Sequence, residues 1–300
     1  MNISEDTFVS WAKGPGTTEA DKCKNAETAI KKAIAADEKL SKMDVSVFAQ
    51  GSYPSRTNVR LDSDVDICVR YNDAFFDTYP EGKTREDFGN VPGTLAFAQF
   101  KQYVGAALIT YFDDDAVTPG NKAFDVHANS YRVDADVVPA FEYRWYTGRQ
   151  NGNGSHQYHS GVAFLPDKGN RIVNYPDQTD ANGTSRNNET GRHYKRVIRI
   201  LKRLRNKMQE DRIQEANDIA SFLIECLVWN CPVEAFQHDR YADDVRYVLA
   251  HTYNNTREDS TCSEWGEVNE LKYLFRKSQP WTREQANAFL NAAWDYIGFK

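Results

Sequence analysis

Hydrophobic and polar residues alternate with a period of two in two short stretches, 64–69 (DVDICV) and 131–140 (YRVDADVVPA). This period predicts β-strands, because successive side chains of a strand point to opposite faces. In the first strand it places Asp62, Asp64 and Asp66 together on one face. Strands rich in valine and isoleucine are normally buried, so we expect a row of acidic side chains beside the core of a sheet.

Shorter apolar segments predict further strands of this sheet. An apolar segment at 45–48 predicts a strand before the first acidic strand, and 123–127 predicts a strand that pairs with the second. Residues 160–176 contain two apolar runs around the sequence DKGN, which is typical of a β-hairpin. Three polar segments are predicted as an insert and two loops, the last of which marks the boundary between two lobes: 71–91, 150–155 and 177–188.

Helical periodicity dominates the second half of the chain. Apolar residues spaced three and four apart predict six helices: 18–43, 93–112, 190–208, 219–232, 241–254 and 282–299. Thr282 and Gln285 have the spacing of a capping box. The order of elements predicts an α+β protein, with a mixed β-sheet core and an N-terminal packing helix in residues 1–185 and a helical lobe in residues 186–300; the family resemblance described below implies that this first helix is a brace.

Composition narrows the class of protein. The chain has 300 residues, of which 40% are hydrophobic, and a formal net charge of −6, which argues against a general nucleic-acid binder. Its start has no signal-peptide pattern, and no apolar run is long enough to cross a membrane. Its five cysteines are scattered without a CxxC pair, so neither a zinc site nor a disulfide framework is predicted. We therefore expect a cytoplasmic protein.

Carboxylates beside a buried strand are costly unless a positive charge compensates them. A divalent cation suits Asp64 and Asp66, because Mg²⁺ prefers carboxylate oxygens and brings phosphates with it. A third ligand is expected from the neighbouring strand, where Asp134 and Asp136 are again two residues apart. Upstream, Gly51-Ser52 at a strand end can approach a phosphate through backbone amides and a hydroxyl.

Two other groups of potential metal ligands are interpreted as solvated loops. Asp113, Asp114 and Asp115 follow a helix C-terminus, which is the unfavourable end for anions. His156 and His159 lie in a segment rich in Gly, Asn and Ser.

A basic helix follows the predicted lobe boundary. Between Arg186 and Arg212 there are ten Lys or Arg and three Asp or Glu, a local charge of +7. Lys195, Arg199 and Lys202 share one face of this helix. A charged face is often only solvated surface, but opposite a metal site it can hold a triphosphate.

The motifs GS, DVD and ADVVPAF together resemble the nucleotidyltransferase core of the cGAS/DncV-like nucleotidyltransferases (CD-NTases) and the related oligoadenylate synthetases. The resemblance implies a polymerase-β-like core, a helical lobe and an active site in the cleft between them. It also implies that Asp64, Asp66 and Asp136 are the catalytic metal ligands, while Asp134 has no counterpart and is left as a supporting or solvated residue.

The helices RVIRILKRLR and SFLIECLVWNCP resemble the helical lobe of the same family. In that family a lysine of the first helix and a serine opening the second contact the triphosphate. These positions correspond to Lys202 and Ser221, with Lys195 and Arg199 as further candidates on the same helical face.

The resemblance implies an enzyme that uses two Mg²⁺ ions, or Mn²⁺, to join two or three nucleoside triphosphates (ATP, GTP, UTP or CTP) into a cyclic second messenger. Pyrophosphate is released, and in bacterial antiphage (CBASS) signalling the product activates a separate effector. The acidic net charge and the lack of a zinc thumb predict that no nucleic-acid activator is required.

Two alternatives stay open at this stage. One is a non-cyclising nucleotidyltransferase that makes linear oligonucleotides or modifies a protein or RNA, and the other is a catalytically idle nucleotide-binding regulator. The sequence does not predict which nucleobases the protein binds. Three aromatic side chains are candidates for stacking on a base and two asparagines for hydrogen bonding to one: Phe164, Tyr175 and Phe222, and Asn170 and Asn174.

Overall fold

The computed structural model describes residues 1–59 and 64–300, so Asp62 of the predicted acidic face lies outside the described residues. Within these ranges the chain forms seven strands: β1 (Val45–Gln50), β2 (Val65–Thr78), β3 (Val117–Pro119), β4 (Phe124–Val126), β5 (Ala135–Gln150), β6 (His156–Phe164) and β7 (Ile172–Asn174). The same ranges contain nine α-helices: α1 (Glu5–Trp11), α2 (Thr17–Ala36), α3 (Phe97–Phe112), α4 (Pro176–Glu189), α5 (His193–Glu210), α6 (Ser221–Trp229), α7 (Tyr241–Thr256), α8 (Asp259–Cys262) and α9 (Arg283–Ile297).

The chain divides into two compact units. The sheet unit comprises Thr17–Pro54 and Ser63–Asp177, and the helical unit comprises Met1–Gly16, Ser55–Asp62 and Gln178–Lys300. The helical unit therefore includes three segments that the sequence analysis assigned to the core at 1–185: 1–16, 55–62 and 178–185.

The sheet unit is built on a mixed sheet in the order β1-β2-β5-β4-β3, with β6 and β7 added beside the second half of β5. β2 and β5 are parallel, whereas β1, β4 and β6 are each antiparallel to their neighbours. Parallel neighbours need a crossover connection, and the segment between β2 and β5 supplies it with α3. The predicted first acidic strand, the strand at 123–127 and the hairpin at 160–176 are confirmed. The second acidic strand exists, but it runs from Ala135 to Gln150 rather than over 131–140, and Pro139 lies inside it, opposite Val69 of β2.

The core of this unit lies between the sheet and helices α2 and α3. Ile30 of α2, Phe100 of α3 and Ile67 of β2 are all fully buried. The Phe141 ring of β5 lies 5.4 Å from that of Phe97 and 5.7 Å from that of Phe100. These contacts fix the middle of the sheet, where the acidic strands run.

The helical unit has a separate apolar core. Its largest buried side chains include Tyr194, Phe236 and Phe289. Thr282 and Gln285 form the predicted capping box at the start of α9. In the part of the chain that the structure describes, every helix is too short or too polar to serve as a membrane span.

The largest difference from the sequence prediction is α4. Residues 177–188 were predicted as a loop, because Asn, Asp, Gly and Thr are poor helix formers. The segment is nevertheless helical, with Pro176 in the first turn, where its missing N–H costs nothing. Asn182 donates a hydrogen bond to the Val268 carbonyl at 2.8 Å, and Gly183 is buried against the next helix. Tertiary contacts therefore override the local propensity.

Three element boundaries also differ. α2 ends at Ala36 rather than at 43, because the Asp37 carboxylate accepts hydrogen bonds from the backbone N–H groups of Lys39 and Leu40 at 2.9 Å each and so stops the helix. β2 continues through a bulge to Thr78, into the segment predicted as a polar insert. β6 begins at His156, which the sequence analysis placed in a loop.

Candidate active site

Three carboxylates lie side by side across three neighbouring strands. Asp66 of β2 is paired in register with Asp136 of β5, and Asp136 is paired on its other side with Asp125 of β4. Residues directly opposite each other on adjacent strands share one face of the sheet, about 5 Å apart. Asp64 lies just before β2 and is exposed, two residues from Asp66. The structure thus brings the predicted strands together with their aspartates aligned.

Gly51 approaches this row closely. It has a φ of +74°, and a Cβ atom built on it would lie 3.3 Å from Cγ of Asp66 and much closer still to Oδ2. Only glycine fits so near the carboxylate and adopts this φ without strain. Gln50, the preceding residue, is the register partner of Asp66 on β1. The predicted Gly51-Ser52 turn therefore lies directly beside the acidic row.

The electrostatics of the row favour a cation. The pKa of Asp136 is raised, first by its burial and then by the negative charges of Asp125 and Asp134. Carboxylate oxygens on adjacent strands are the donor set that hard divalent cations prefer, so the residues present fit such an ion. Within residues 1–59 and 64–300, however, no three His, Cys, Asp or Glu side chains already converge as a complete ligand group. Asp66, Asp136 and Asp125 are aligned by the pairing of their strands.

Asp134 and Asp125 are the two aspartates whose negative charges raise the pKa of Asp136. Asp134 accepts a hydrogen bond from the backbone N–H of Ala128 at 2.7 Å, and so supports the turn that leads into β5. Asp125, in contrast, was missed by the sequence analysis, although the predicted strand at 123–127 was expected to pair with the Asp136 strand. That predicted pairing is the signal that pointed to Asp125, but a strand of three residues does not fix the register that sets it opposite Asp136.

On the helical unit, Lys195 and Arg199 are cations in a partly desolvated setting. Lys195 is 7% exposed, and its ammonium donates to the hydroxyl of Thr184 at 3.0 Å. Burial lowers the pKa of Lys195, although the nearby Asp180 carboxylate opposes this effect. Burial, followed by the charge of Arg196, also lowers the pKa of Arg199 to about 10. Both cations would gain from a bound anion.

Lys202 and Ser221 have other partners. The Lys202 ammonium is 2% exposed and forms an ion pair with Glu225 at 2.6 Å. The Ser221 hydroxyl accepts a hydrogen bond from the Arg205 guanidinium at 2.9 Å. Their predicted contact with a triphosphate stays a prediction, and for Lys202 it would require breaking the ion pair.

The candidates for base recognition differ in exposure. Phe164 and Tyr175 are buried in the sheet unit, whereas Phe222 packs against Trp281 at a ring distance of 6.4 Å. Asn174 belongs to β7, and Asn170 lies in the exposed turn before it.

The two groups interpreted as solvated loops lie elsewhere. Asp113, Asp114 and Asp115 are exposed in the turn after α3. His156 packs its ring 4.4 Å from that of Phe88, so it belongs to an aromatic cluster at the far end of β5.

This architecture, a mixed sheet that aligns aspartates beside a Gly-Ser turn, is that of a polymerase-β-like nucleotidyltransferase. The family model for the cGAS/DncV-like nucleotidyltransferase C-terminal helical domain matches residues 181–298. The chain is 43% identical over 297 residues to the cyclic dipyrimidine nucleotide synthase CdnE of Cecembia lonarensis, covering 99% of both chains. It is 42% identical to the enzyme of the same name from Legionella pneumophila, covering 98% of this chain and 97% of that one.

A solved structure supports the same family assignment. The chain is similar to the CdnE cyclic dinucleotide synthase of Elizabethkingia meningoseptica, solved with GTP and Apcpp, with a TM-score of 0.81 and 34% identity, covering 99% of this chain and 100% of that one. The chain belongs to the CD-NTase family. It is a nucleotidyltransferase that makes cyclic oligonucleotides from nucleoside triphosphates, and its family uses a divalent metal. The predicted fold, family and reaction are confirmed over the two alternatives.

Proposed function

We propose that this enzyme joins two pyrimidine nucleoside triphosphates, CTP or UTP, into a cyclic dipyrimidine nucleotide with release of pyrophosphate. Support comes from the two relatives at 42–43% identity, both named cyclic dipyrimidine nucleotide synthases. The Elizabethkingia protein, at lower identity, was solved with GTP. Purine products are therefore the main competing outcome of the test below.

The proposed catalytic centre is formed by Asp66 and Asp136 of the acidic row together with Asp64, which would hold two Mg²⁺ ions, with Mn²⁺ as a substitute. When bound, such ions lower the pKa of an attacking hydroxyl and neutralise the charge that develops on the phosphates. The protein contributes the alignment of the carboxylates. The single observation that carries this proposal is the in-register pairing of Asp66 with Asp136, with Gly51 packed against the Asp66 carboxylate.

The remaining residues would bind and orient the triphosphate. Gly51 and Ser52 offer backbone N–H groups and a hydroxyl at the end of β1. On the helical unit, Lys195 is the proposed phosphate contact, because burial disfavours its charge and an anion would compensate it. Arg199 is a further candidate, whose guanidinium already donates to the carbonyls of Ala12 and Arg56. Lys202 and Ser221 are retained as weaker candidates.

The setting of the reaction is also proposed. Because nucleoside triphosphates are cytosolic metabolites, we place the enzyme in the cytoplasm. We expect activity without RNA or DNA, and a product that activates a separate effector in antiphage (CBASS) defence. A large increase in turnover on adding double-stranded DNA or RNA would contradict the first of these expectations.

The test is product analysis. The protein is incubated with Mg²⁺ and each single or paired combination of the four triphosphates, the reaction is treated with phosphatase, and the product is identified by mass spectrometry. We expect a phosphatase-resistant cyclic dipyrimidine mass. A purine-only product would refute the base choice, and full activity of Asp64→Ala or Asp66→Ala would refute the catalytic centre.

A further inference from the structure

One arginine of the helical unit holds the start of α6. The guanidinium of Arg205, in the last turns of α5, donates to the Ser221 hydroxyl through Nη2 at 2.9 Å and to the backbone carbonyl of Ile219 through Nη1. Its Nε donates to the Asn206 side chain at 2.7 Å. The guanidinium carries its donors in a rigid planar fork, so the three bonds together define its position. Arg205 therefore fixes both the Ser221 side chain and the backbone two residues before it.

The connection between α5 and α6 is tied to α5 at a second point. Gln209, one turn after Arg205, donates to the backbone carbonyl of Ala216 at 2.9 Å. Ala216 and Ile219 are both buried. Asp218 between them has a φ of +57°, a conformation that a residue other than glycine keeps only where its surroundings impose it. Side chains of α5 thus set where α6 begins.

The Arg205–Ser221 bond has a neighbouring link between the same two helices. Lys202, one turn before Arg205, pairs with Glu225, one turn after Ser221, at 2.6 Å. Residues three or four apart lie on the same face of a helix, so the two links are adjacent rungs between α5 and α6. The two positions to which the resemblance assigns a triphosphate contact, Lys202 and Ser221, therefore belong to adjacent rungs.

The direction of the Arg205–Ser221 bond determines what the serine can do. A serine hydroxyl has one hydrogen to donate and two lone pairs with which to accept. Because arginine can only donate, the Ser221 oxygen is the acceptor, and the hydroxyl hydrogen is left for a different acceptor. Ala220, the N-cap of α6, has no side-chain oxygen for the first backbone N–H groups of the helix, and this end of a helix favours an anion.

We propose that Arg205 is a positioning residue for substrate binding, which holds Ser221 as a hydrogen-bond donor to a phosphate oxygen of the nucleoside triphosphate. Arg205 acts through Ser221 and does not itself contact the substrate. Each of its three nitrogens already has an acceptor, so a direct phosphate contact would have to displace one of them. The inference rests on the proposed phosphate contact of Ser221 and adds the residue that orients its hydroxyl.

The test is a double-mutant cycle on Arg205 and Ser221, followed through KM for nucleotide and kcat. Ser221→Ala removes the donor, and Arg205→Met removes the residue that orients it. We expect each change to raise KM by about tenfold, the effect of losing a hydrogen bond to a charged group, with kcat within about twofold. The double variant should exceed the larger single effect by less than about twofold, because the second change removes nothing that contacts substrate.

Two further variants separate orientation from charge. Arg205→Lys keeps the positive charge without the fork, so it should raise KM nearly as much as Arg205→Met, and it replaces that variant if thermal unfolding shows that Arg205→Met does not fold. Lys207→Met is the matched control on the same helix. Its lysine is 44% exposed and pairs with Glu210 and Asp211, so KM and kcat should stay within about twofold of wild type.

Three results would overturn the role of Arg205 alone. They are multiplied losses of affinity in the double variant, which would make Arg205 an independent contact; a wild-type KM in Arg205→Lys, which would show that charge suffices; and a lower melting temperature of Arg205→Met with an unchanged KM, which would leave only a structural role.

The proposed function fails in different observations. A wild-type KM in Ser221→Ala would refute the phosphate contact itself, and the role of Arg205 with it. An active Asp64→Ala enzyme would refute the proposed catalytic centre, but the cycle on Arg205 and Ser221 would keep its meaning, because it measures nucleotide affinity.

Discussion

Gly51→Ala tests the acidic row most directly. The new Cβ would lie less than 3.0 Å from Oδ2 of Asp66, whereas ordinary van der Waals contact begins at 3.4 Å. The Asp66 carboxylate, or the Gly51 backbone, must therefore move by about half an ångström or more. Since a misplacement of 1 Å in an active site costs on the order of 10²-fold in rate, we expect kcat to fall by about tenfold or more. The Mg²⁺ concentration for half-maximal activity should rise as well.

The control is Gly82→Ala. Gly82 has a φ of +73°, almost equal to the +74° of Gly51, but a Cβ atom there would meet nothing within 4 Å. Both variants should lose about 1–2 kcal/mol of stability in thermal unfolding, the cost of a left-handed conformation for alanine. Only Gly51→Ala should lose activity. Equal initial rates for the two variants at saturating Mg²⁺ would refute the proposed contact between the turn and the catalytic carboxylate.

Three further predictions concern single side chains. Lys195→Met should stabilise the ligand-free protein at neutral pH, because the lowered pKa of Lys195 means that its charged form destabilises the folded state below that pKa. The gain in stability, measured by unfolding curves, should fade as the pH rises towards 10.5. The KM for nucleotide, measured from initial rates, should increase. Asp134→Ala should cost about 1 kcal/mol in denaturant unfolding through the lost bond to Ala128, with kcat within twofold; a tenfold loss of kcat would assign Asp134 to the site. The five cysteines are all buried, and burial raises the pKa of the Cys68 thiol to about 12. A thiol reagent at pH 8 should therefore label them only after denaturation. Rapid labelling of the native protein would contradict this packing.

The acidic row was predictable because two properties of its strands agree. The period of two around Asp64, Asp66 and Asp136 identifies the strands and also places their carboxylates on one face. The remaining member, Asp125, has only a three-residue strand of its own. A strand so short gives a weak pattern, and its register becomes visible only when it pairs with β5.

Where the sequence prediction failed, contacts distant in the chain decide the structure. α4 has a composition typical of a loop, yet Asn182 reaches 86 residues along the chain to Val268. His156 belongs to a strand because it pairs with Gln150 of β5, and its ring packs on Phe88, far from it in sequence. No local pattern encodes such partners, so element type is least predictable where local propensity is weak and packing supplies the difference.

The basic helix shows the same limit within the site itself. Lys195 and Lys202 are two turns apart on α5; the resemblance assigns the phosphate contact to Lys202, and the pattern of the helix adds Lys195 as a further candidate on the same face. In the structure Lys202 faces a carboxylate that neutralises it, whereas Lys195 has a hydroxyl as its hydrogen-bond partner and keeps an unfavourable desolvation. A cation that is already paired gains little from an incoming anion, while a desolvated one gains much. The difference in pairing supports the proposal of Lys195 as a phosphate contact, whereas Lys202 is held by Glu225 and by the backbone carbonyl of Thr57.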